Sequence, residues 1–353
     1  MTCRHGGMLL AGAALLCLAA APAAGQDEEG RALPRTPDGR PDLQGHWTMA
    51  TFTPLERPPR FAGREFLTEE EAAELRALFT ADGANPSGRA AFAEPDPELR
   101  RQKTIQSQEN IHYDNAIWLT EERRKSLSSL RTSLIVDPPD GRIPALTPTA
   151  SRREERRLVT REYLARSRPN PVFDSYETRS VQERCLVWRH EGPPMLPPSY
   201  NDILQIFQTP DHVVIFQEMS NNPPRIVPLD GRPPLPARIR QWPGDGRGRW
   251  EGDTLVVETR NFTRKTHFRG ASDALHVVER FTPVGPDEIL YEFTVADPTS
   301  WMRPWSAEIP MTRTDELMFE YACHEGNHDI VNILSMSRNL DRQAAAKAAG
   351  GSK

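Results

Sequence analysis

The sequence between Gly248 and His328 decides the fold. It contains GRWEGDTLVVETRNF (248–262), ALHVVERF (274–281), EILYEFTV (288–295), PWSAEIPM (304–311) and LMFEYACHEGNH (317–328). Apolar and polar residues alternate in each segment, which is typical of β-strands that bury one face. Short turn sequences such as Pro283–Pro286 and Asp297-Pro298 separate the segments. The pattern predicts a meander of five antiparallel strands.

Weaker strand signals occur earlier in the chain, at 42–48, 133–136, 203–208, 213–218 and 225–229. About ten strands favour a closed or nearly closed sheet over a flat one, because closure removes exposed edges. Gly45-His46-Trp47 resembles the opening of lipocalin-like (calycin) barrels, in which the Trp plugs one end. The chain also has 33 prolines. We therefore predict a mainly β protein, an antiparallel lipocalin-like barrel with Pro-rich loops and a few peripheral helices.

Three helices are predicted around these strands. Thr68 and Glu71 form a capping box that begins a helix over about 69–80. Thr147-Pro148 begins a second helix that extends to about Arg166, and a short third helix covers His328–Arg338. Residues 81–103 are predicted to be loose. The predicted organisation is an N-terminal extension (26–180) packed on the barrel, a barrel core with the short helix (181–338), and a disordered tail (339–353).

The first 25 residues have the pattern of a secretory signal peptide. Met8–Ala21 is apolar, is followed by small residues, and is shorter than the roughly 20 residues that a membrane span needs. We expect a periplasmic or secreted protein with no integral membrane segment after cleavage. The formal net charge of −5 does not favour nucleic acid as a partner.

Two cysteines, Cys185 and Cys323, remain after the signal peptide. An exported protein allows a disulfide between them. Two buried free thiols are the alternative.

His324-Glu325-Gly326-Asn327-His328 matches the HExxH zinc-protease pattern. That motif needs both His side chains on one helix, whereas this run directly follows a predicted strand and contains Gly326. We interpret it as a strand-to-helix turn in which Asn327 caps the helix, so no metal site and no cofactor are predicted. His324 and Glu325 are candidate catalytic residues, because a held imidazole and carboxylate can transfer protons. A purely structural turn is the alternative.

A second candidate set lies on the polar face of the meander. His276 and Glu292 are its candidate catalytic residues if that face lines a cavity, and solvated surface residues if it faces outward. Arg249, Trp250 and Asp253 are candidate ligand contacts, since an indole with charged neighbours suits a sugar or aromatic ligand. A packed turn is equally compatible. Asn327 is a further candidate ligand contact.

Several phrases together resemble an uncharacterised family of secreted bacterial proteins, found in environmental bacteria such as acidobacteria. They are PRTPDGRPDLQGHW, TSLIVDPPDGRIPALTP, RGRWEGDTLVVETRNF, DALHVVERF and YACHEGNH, and they extend over about 34–338. The resemblance implies export and a β-rich fold. It implies no activity for any residue.

The sequence leaves three functional hypotheses. The first is a small-molecule-binding barrel for a carbohydrate-like or small organic ligand; as an enzyme it would be a cofactor-independent lyase, isomerase or hydrolase. The second is a non-catalytic binding or structural module of the cell envelope. The third is a zinc-dependent hydrolase that uses His324-Glu325-Gly326-Asn327-His328, which the interrupted helix pattern disfavours.

Overall fold

The computed structural model describes residues 32–81, 92–104, 127–155, 175–188, 190–198, 201–221, 223–264 and 268–350. The strands are β1 (Gly45–Thr48), β2 (Ile135–Asp137), β3 (Ile203–Gln208), β4 (His212–Gln217), β5 (Arg225–Pro228), β6 (Asp245–Glu251), β7 (Thr254–Arg260), β8 (His276–Gly285), β9 (Glu288–Ala296) and β10 (Trp305–Arg313). The helices with defined ends are α1 (Glu69–Phe79), α2 (Pro97–Thr104) and α3 (His328–Gly350). Residues 148–155 are also helical. No helix within these ranges combines the length and the apolar character that crossing a bilayer requires.

Nine of the strands form a single antiparallel sheet that curls into a nearly closed barrel. Their order is β5-β4-β3-β1-β10-β9-β8-β7-β6, and β2 pairs separately with β10. The two end strands of this order, β5 and β6, approach each other at Gly248 of β6. A Cβ atom there would lie 2.5 Å from Leu229 and 2.8 Å from Val227, so only glycine allows this approach. The predicted lipocalin-like architecture is therefore confirmed.

Trp47 joins the first strand to the last. β1 lies between β3 and β10, and Trp47 pairs with Leu204 on one side and with Arg313 on the other. The Arg313 guanidinium lies 4.3 Å from the centre of the Trp47 ring, and its Nη1 donates to the Gln44 carbonyl at 3.0 Å. The indole Nε1 donates to the Leu43 carbonyl at 2.9 Å. A buried Trp thus satisfies its polar atom locally while filling the barrel.

Period-2 alternation places the apolar face of each strand inside the barrel. Leu255, Val277, Phe293, Trp305 and Ile309 are all fully buried within one core cluster. Burying each such side chain contributes roughly 1.5–3 kcal/mol. A smaller core lies under α1, which begins at the predicted capping box. The barrel and this N-terminal layer therefore have separate apolar centres.

The fifth predicted strand of the meander is wrong. Residues 314–322 contain no strand, and Leu317 is 71% exposed. The reason is tertiary: β1 already pairs with the end of β10, so no free edge remains beside it. The chain leaves the sheet at Thr314, whose N–H donates to the His46 carbonyl at 3.1 Å. Conversely, the charged and Gly-rich β6 was not predicted as a strand, because its pairing with β7 rather than its composition makes it one.

The helices differ from expectation at their ends. α2 occupies part of the segment predicted to be loose, and α3 continues to Gly350, beyond Asn339 where a disordered tail was predicted. The second predicted helix is present at 148–155, while the rest of its range lies outside the described residues, as do residues 1–31 with the predicted signal peptide. The predicted N-terminal extension also supplies β1 and β2 to the sheet.

Candidate functional site

The predicted disulfide between Cys185 and Cys323 is present and joins segments 138 residues apart. It ties the segment after β10 to the turn at 181–185. A second turn at 323–326 follows the bridge, and α3 begins at His328. Asn327 lies beside the bridge, where its Nδ2 donates to the Glu183 carbonyl at 2.9 Å. The Asn327 side chain therefore ties two segments together.

The HExxH run does not form a zincin helix. His324 lies in the turn and His328 is the first residue of α3, so the two imidazoles do not share a helical face. Among the described residues, no group of three or more His, Cys, Asp and Glu side chains could hold a metal ion. His324 and Glu325 are both exposed, and no hydrogen bond joins them within the described ranges. The corner therefore supplies no held imidazole–carboxylate pair.

The turn around Trp250 is packed by the N-terminal segment. The Nη1 and Nη2 atoms of Arg35 donate to the two carboxylate oxygens of Asp253, at 3.0 and 2.8 Å. Arg40 lies over the Trp250 ring at 5.9 Å, and that indole packs against the main core. Arg249 donates to Glu251 at 2.7 and 3.0 Å. The three predicted ligand contacts are thus engaged with the protein itself.

Glu292 lies on the outer face of the barrel. It stands directly opposite Glu308 in the neighbouring strand, and Glu308 is 3.2 Å from Arg131. Burial raises the pKa of Glu292, the charge of Glu308 adds to the increase, and Arg280 opposes it. The sequence placed Glu292 on the same polar face as His276. The two residues lie on the neighbouring strands β9 and β8, but His276 pairs with Ala296 at the end of β9, whereas Glu292 pairs with Arg280.

His276 instead lines a cleft of about 240 Å³ at the end of the barrel. Its walls are Arg240, Arg260, Asn261, Asp273, Ala274, Leu275 and His276. Arg260 ends β7 and His276 begins β8, so the register of two adjacent strands brings these residues together. The His276 Nε2 lies 2.8 Å from the Glu258 Oε1, which also accepts from Arg260 Nε at 2.9 Å. This is the one predicted catalytic residue that the structure brings into a described cavity with other polar groups.

The buried carboxylate of Asp297 and two backbone contacts of Arg240 fix the segment that forms the cleft wall. The Asp297 carboxylate accepts from the Ser272 N–H at 2.6 Å and from the Ser300 hydroxyl at 2.8 Å. Burial would raise the pKa of Asp297, but these hydrogen bonds lower it overall. Arg240 Nη1 donates to the carbonyls of Phe262 at 3.2 Å and Asp273 at 2.7 Å. The segment that carries Asp273 and His276 is therefore held from both sides.

Positive charge exceeds negative charge around the cleft. The guanidinium groups of Arg240, Arg260 and Arg264 face two carboxylates, Glu258 and Asp273. The hydrogen bond from Arg264 lowers the pKa of Asp273, while burial opposes this shift. Burial would raise the pKa of Glu258, but Arg260 and His276 lower it overall. Both carboxyl groups are therefore ionised at neutral pH. Among the residues that line the cleft, the two arginines Arg240 and Arg260 face one carboxylate, Asp273.

A second polar centre lies inside the barrel, and sequence reasoning missed it. Arg225 crosses from β5 to Glu279 on β8, with Nη1 3.1 Å from Oε1. The Tyr291 hydroxyl donates to the same oxygen at 2.8 Å and accepts from the Met195 N–H at 2.9 Å. Glu279 and Tyr291 are fully buried. The signal was visible in the sequence, because Glu279 occupies an inward position between Val277 and Phe281.

The centre is electrically balanced. Burial would lower the pKa of Arg225, but the charge and hydrogen bonds of Glu279 raise it overall. Burial and the nearby Glu279 charge raise the pKa of Tyr291. Arg225 and Tyr291 both donate hydrogen bonds to Glu279, so the three side chains satisfy one another, which favours a structural role.

The fold and the cleft define a nearly closed, lipocalin-like β-barrel with a polar cleft at the barrel end. The chain matches no protein-family model, no curated protein sequence and no solved structure.

Proposed function

We propose that the protein is an exported β-barrel that binds a small carbohydrate-like acid in the cleft lined by His276. The observation that carries the proposal is the convergence of Arg240, Arg260, Asn261, Asp273 and His276 around one cavity of about 240 Å³. Concave sites with a few convergent polar groups are where small ligands usually bind. The size suits a single sugar ring better than a polymer.

The charge of the cleft supports an acidic ligand. The whole chain carries a net charge of −5, yet the cleft has a local excess of arginine. A positive site on an acidic protein concentrates anions locally. Arginine binds carboxylates with two parallel hydrogen bonds, while Asn261 and Asp273 offer partners for hydroxyl groups. A sugar acid, or uronate, presents both kinds of group.

Isothermal titration with D-galacturonate and with uncharged D-galactose tests the proposal. Arg260→Gln is the informative variant, and Arg232→Gln is its matched control. The two arginines are 55% and 52% exposed, and each pairs with a carboxylate two residues earlier, Glu258 and Asp230. We expect Arg260→Gln to weaken galacturonate binding about ten-fold or more, as expected for a lost charge-assisted hydrogen bond. Absence of galacturonate binding, or equal effects of both substitutions, would overturn the proposal.

Catalysis is a second candidate function, supported by the contact between His276 and Glu258. A carboxylate that holds an imidazole fixes its tautomer and prepares it as a general base. Lyases that eliminate across the bond beside the carboxylate of a sugar acid, and isomerases that epimerise the carbon next to it, begin by removing the proton on that carbon. The C–H electron pair then forms an enolate-like anion that an arginine stabilises. In a lyase the C–O bond on the next carbon then breaks as the C=C bond forms, and the departing oxygen takes the proton that His276 had removed.

Incubation with galacturonate in D₂O separates the two functions. If the protein is a catalyst, deuterium is incorporated at the carbon beside the carboxylate of galacturonate. His276→Gln should then abolish this incorporation but retain galacturonate binding. Binding without incorporation would support the non-catalytic envelope module. His324→Ala is the control, because His324 is exposed and shares no described hydrogen bond with Glu325.

A further inference from the structure

The region where β3 begins and β4 ends contains a second group of polar side chains, which we call the Trp188 corner. It consists of Trp188, Asn201, Asn221, Glu191 and Tyr321. The buried Glu191 carboxylate joins two of its segments, since one oxygen accepts from the Trp188 N–H at 2.9 Å and from the Asn221 N–H at 2.6 Å. Asn201 lies just before β3 begins and Asn221 lies just after β4 ends, so both are at the same end of this paired hairpin.

Four buried side-chain atoms of this corner have no hydrogen-bond partner within the described residues. They are Trp188 Nε1, Asn201 Oδ1, and both Oδ1 and Nδ2 of Asn221. Buried polar atoms in folded proteins nearly always have a partner, either protein or a bound molecule. Three of the four orphan atoms belong to Trp188 and Asn221, whose backbone N–H groups share one Glu191 oxygen, so these side chains are close enough for one ligand to contact both.

The backbone at the corner is also unusual. Asn201 and Met219 both have a φ of 55°, in the left-handed region that non-glycine residues rarely adopt. These two residues end the β3–β4 ladder and turn the chain away from it. Strain of this kind concentrates at ligand sites, where surrounding contacts impose it.

The unpartnered atoms specify the chemistry of the partner. Two are donors, the indole N–H and the Asn221 amide N–H, and two are acceptors, the Asn side-chain oxygens. A fitting ligand must supply both acceptors and donors. Trp188 also packs edge to face with the partly exposed Tyr321, at 5.6 Å between ring centres. Aromatic side chains of this kind stack on apolar sugar faces and methyl groups.

We infer that the Trp188 corner binds an acetamido sugar. The acetamido group supplies one donor and one acceptor in a rigid plane, the sugar hydroxyls supply the remaining partners, and the methyl group or ring face contacts the aromatic side chains. The corner shares no lining residue with the His276 cleft, so this site is independent of the proposed function.

Two-dimensional ¹H–¹⁵N NMR with N-acetylglucosamine tests the inference, with glucose as the matched ligand that lacks the acetamido group. We expect the Trp188 indole and Asn221 side-chain signals to shift saturably with N-acetylglucosamine. Glucose and the variant Asn221→Asp, which removes the donor at constant shape, should each bind about ten-fold more weakly. Trp188→Phe should also weaken binding, whereas Trp250→Phe, at a packed turn elsewhere, should not.

Three results would overturn the inference. They are no saturable shift, equal binding of glucose and N-acetylglucosamine, and undiminished binding by a folded Asn221→Asp variant. The first would mean that the orphan atoms hold ordered water only. Arg260→Gln must leave N-acetylglucosamine binding unchanged, so failure here is distinguishable from failure of the uronate proposal.

Discussion

Replacing Glu279 with Gln tests whether the polar centre of the barrel is a structural ion pair. Glu279 is fully buried and its partner Arg225 is only 10% exposed. The substitution keeps the shape but leaves the guanidinium charge inside an apolar barrel without compensation. Removing one partner of a buried pair typically costs about 3–5 kcal/mol. We therefore expect Glu279→Gln to lower the free energy of unfolding by that amount, measured by urea denaturation.

The double variant supplies the control. Arg225→Met combined with Glu279→Gln removes both charges while keeping similar volumes, and pairs of this kind are often replaced at little cost. The double variant should therefore be more stable than Glu279→Gln alone, which gives a favourable coupling in a double-mutant cycle. A loss below about 1 kcal/mol for the single variant, or strictly additive losses, would refute the ion-pair account.

Three further predictions concern the outer face, the cleft wall and the disulfide. The pKa of Glu292 is raised in the folded protein, so the folded state favours the protonated carboxyl group and loses stability as pH rises and Glu292 ionises. Glu292→Gln removes this charge opposite Glu308 and should stabilise the protein near neutral pH by up to about 1 kcal/mol. Thermal melts should show that this gain disappears below the ordinary Glu pKa of about 4.3. The pKa of Asp297 is lowered in the folded protein, so its carboxylate stabilises the fold at neutral pH and this stabilisation is lost as pH falls through the pKa of the folded state. Asp297→Asn should lower the free energy of unfolding by about 1–3 kcal/mol at neutral pH, measured by urea denaturation, and should change it little in strong acid. Replacing Cys185 and Cys323 by Ser should lower stability by about 5 kcal/mol on the loop-entropy model for a 138-residue separation, and an unchanged urea midpoint would contradict it.

The sequence alone predicted the features of this protein that depend on local residue patterns. The alternation from Leu255 to Met311 predicted four strands of the barrel, because a strand with one buried face repeats every two residues. The capping box at Thr68 predicted where α1 begins. The isolated pair of cysteines predicted the bridge, and Gly326 predicted the break between His324 and α3. Each of these features depends on residues that are neighbours along the chain.

Tertiary structure decided the rest. Residues 317–323 alternate like a strand but are not one, because β1, more than 260 residues earlier in the chain, occupies the adjacent edge of β10. The cleft joins Arg240, Arg260 and His276, and the inner ion pair joins Arg225 to Glu279. Sequence periodicity gives the face on which a side chain lies. Closure of the barrel determines which distant side chains that face meets, since this depends on strand order and register, which local patterns do not encode.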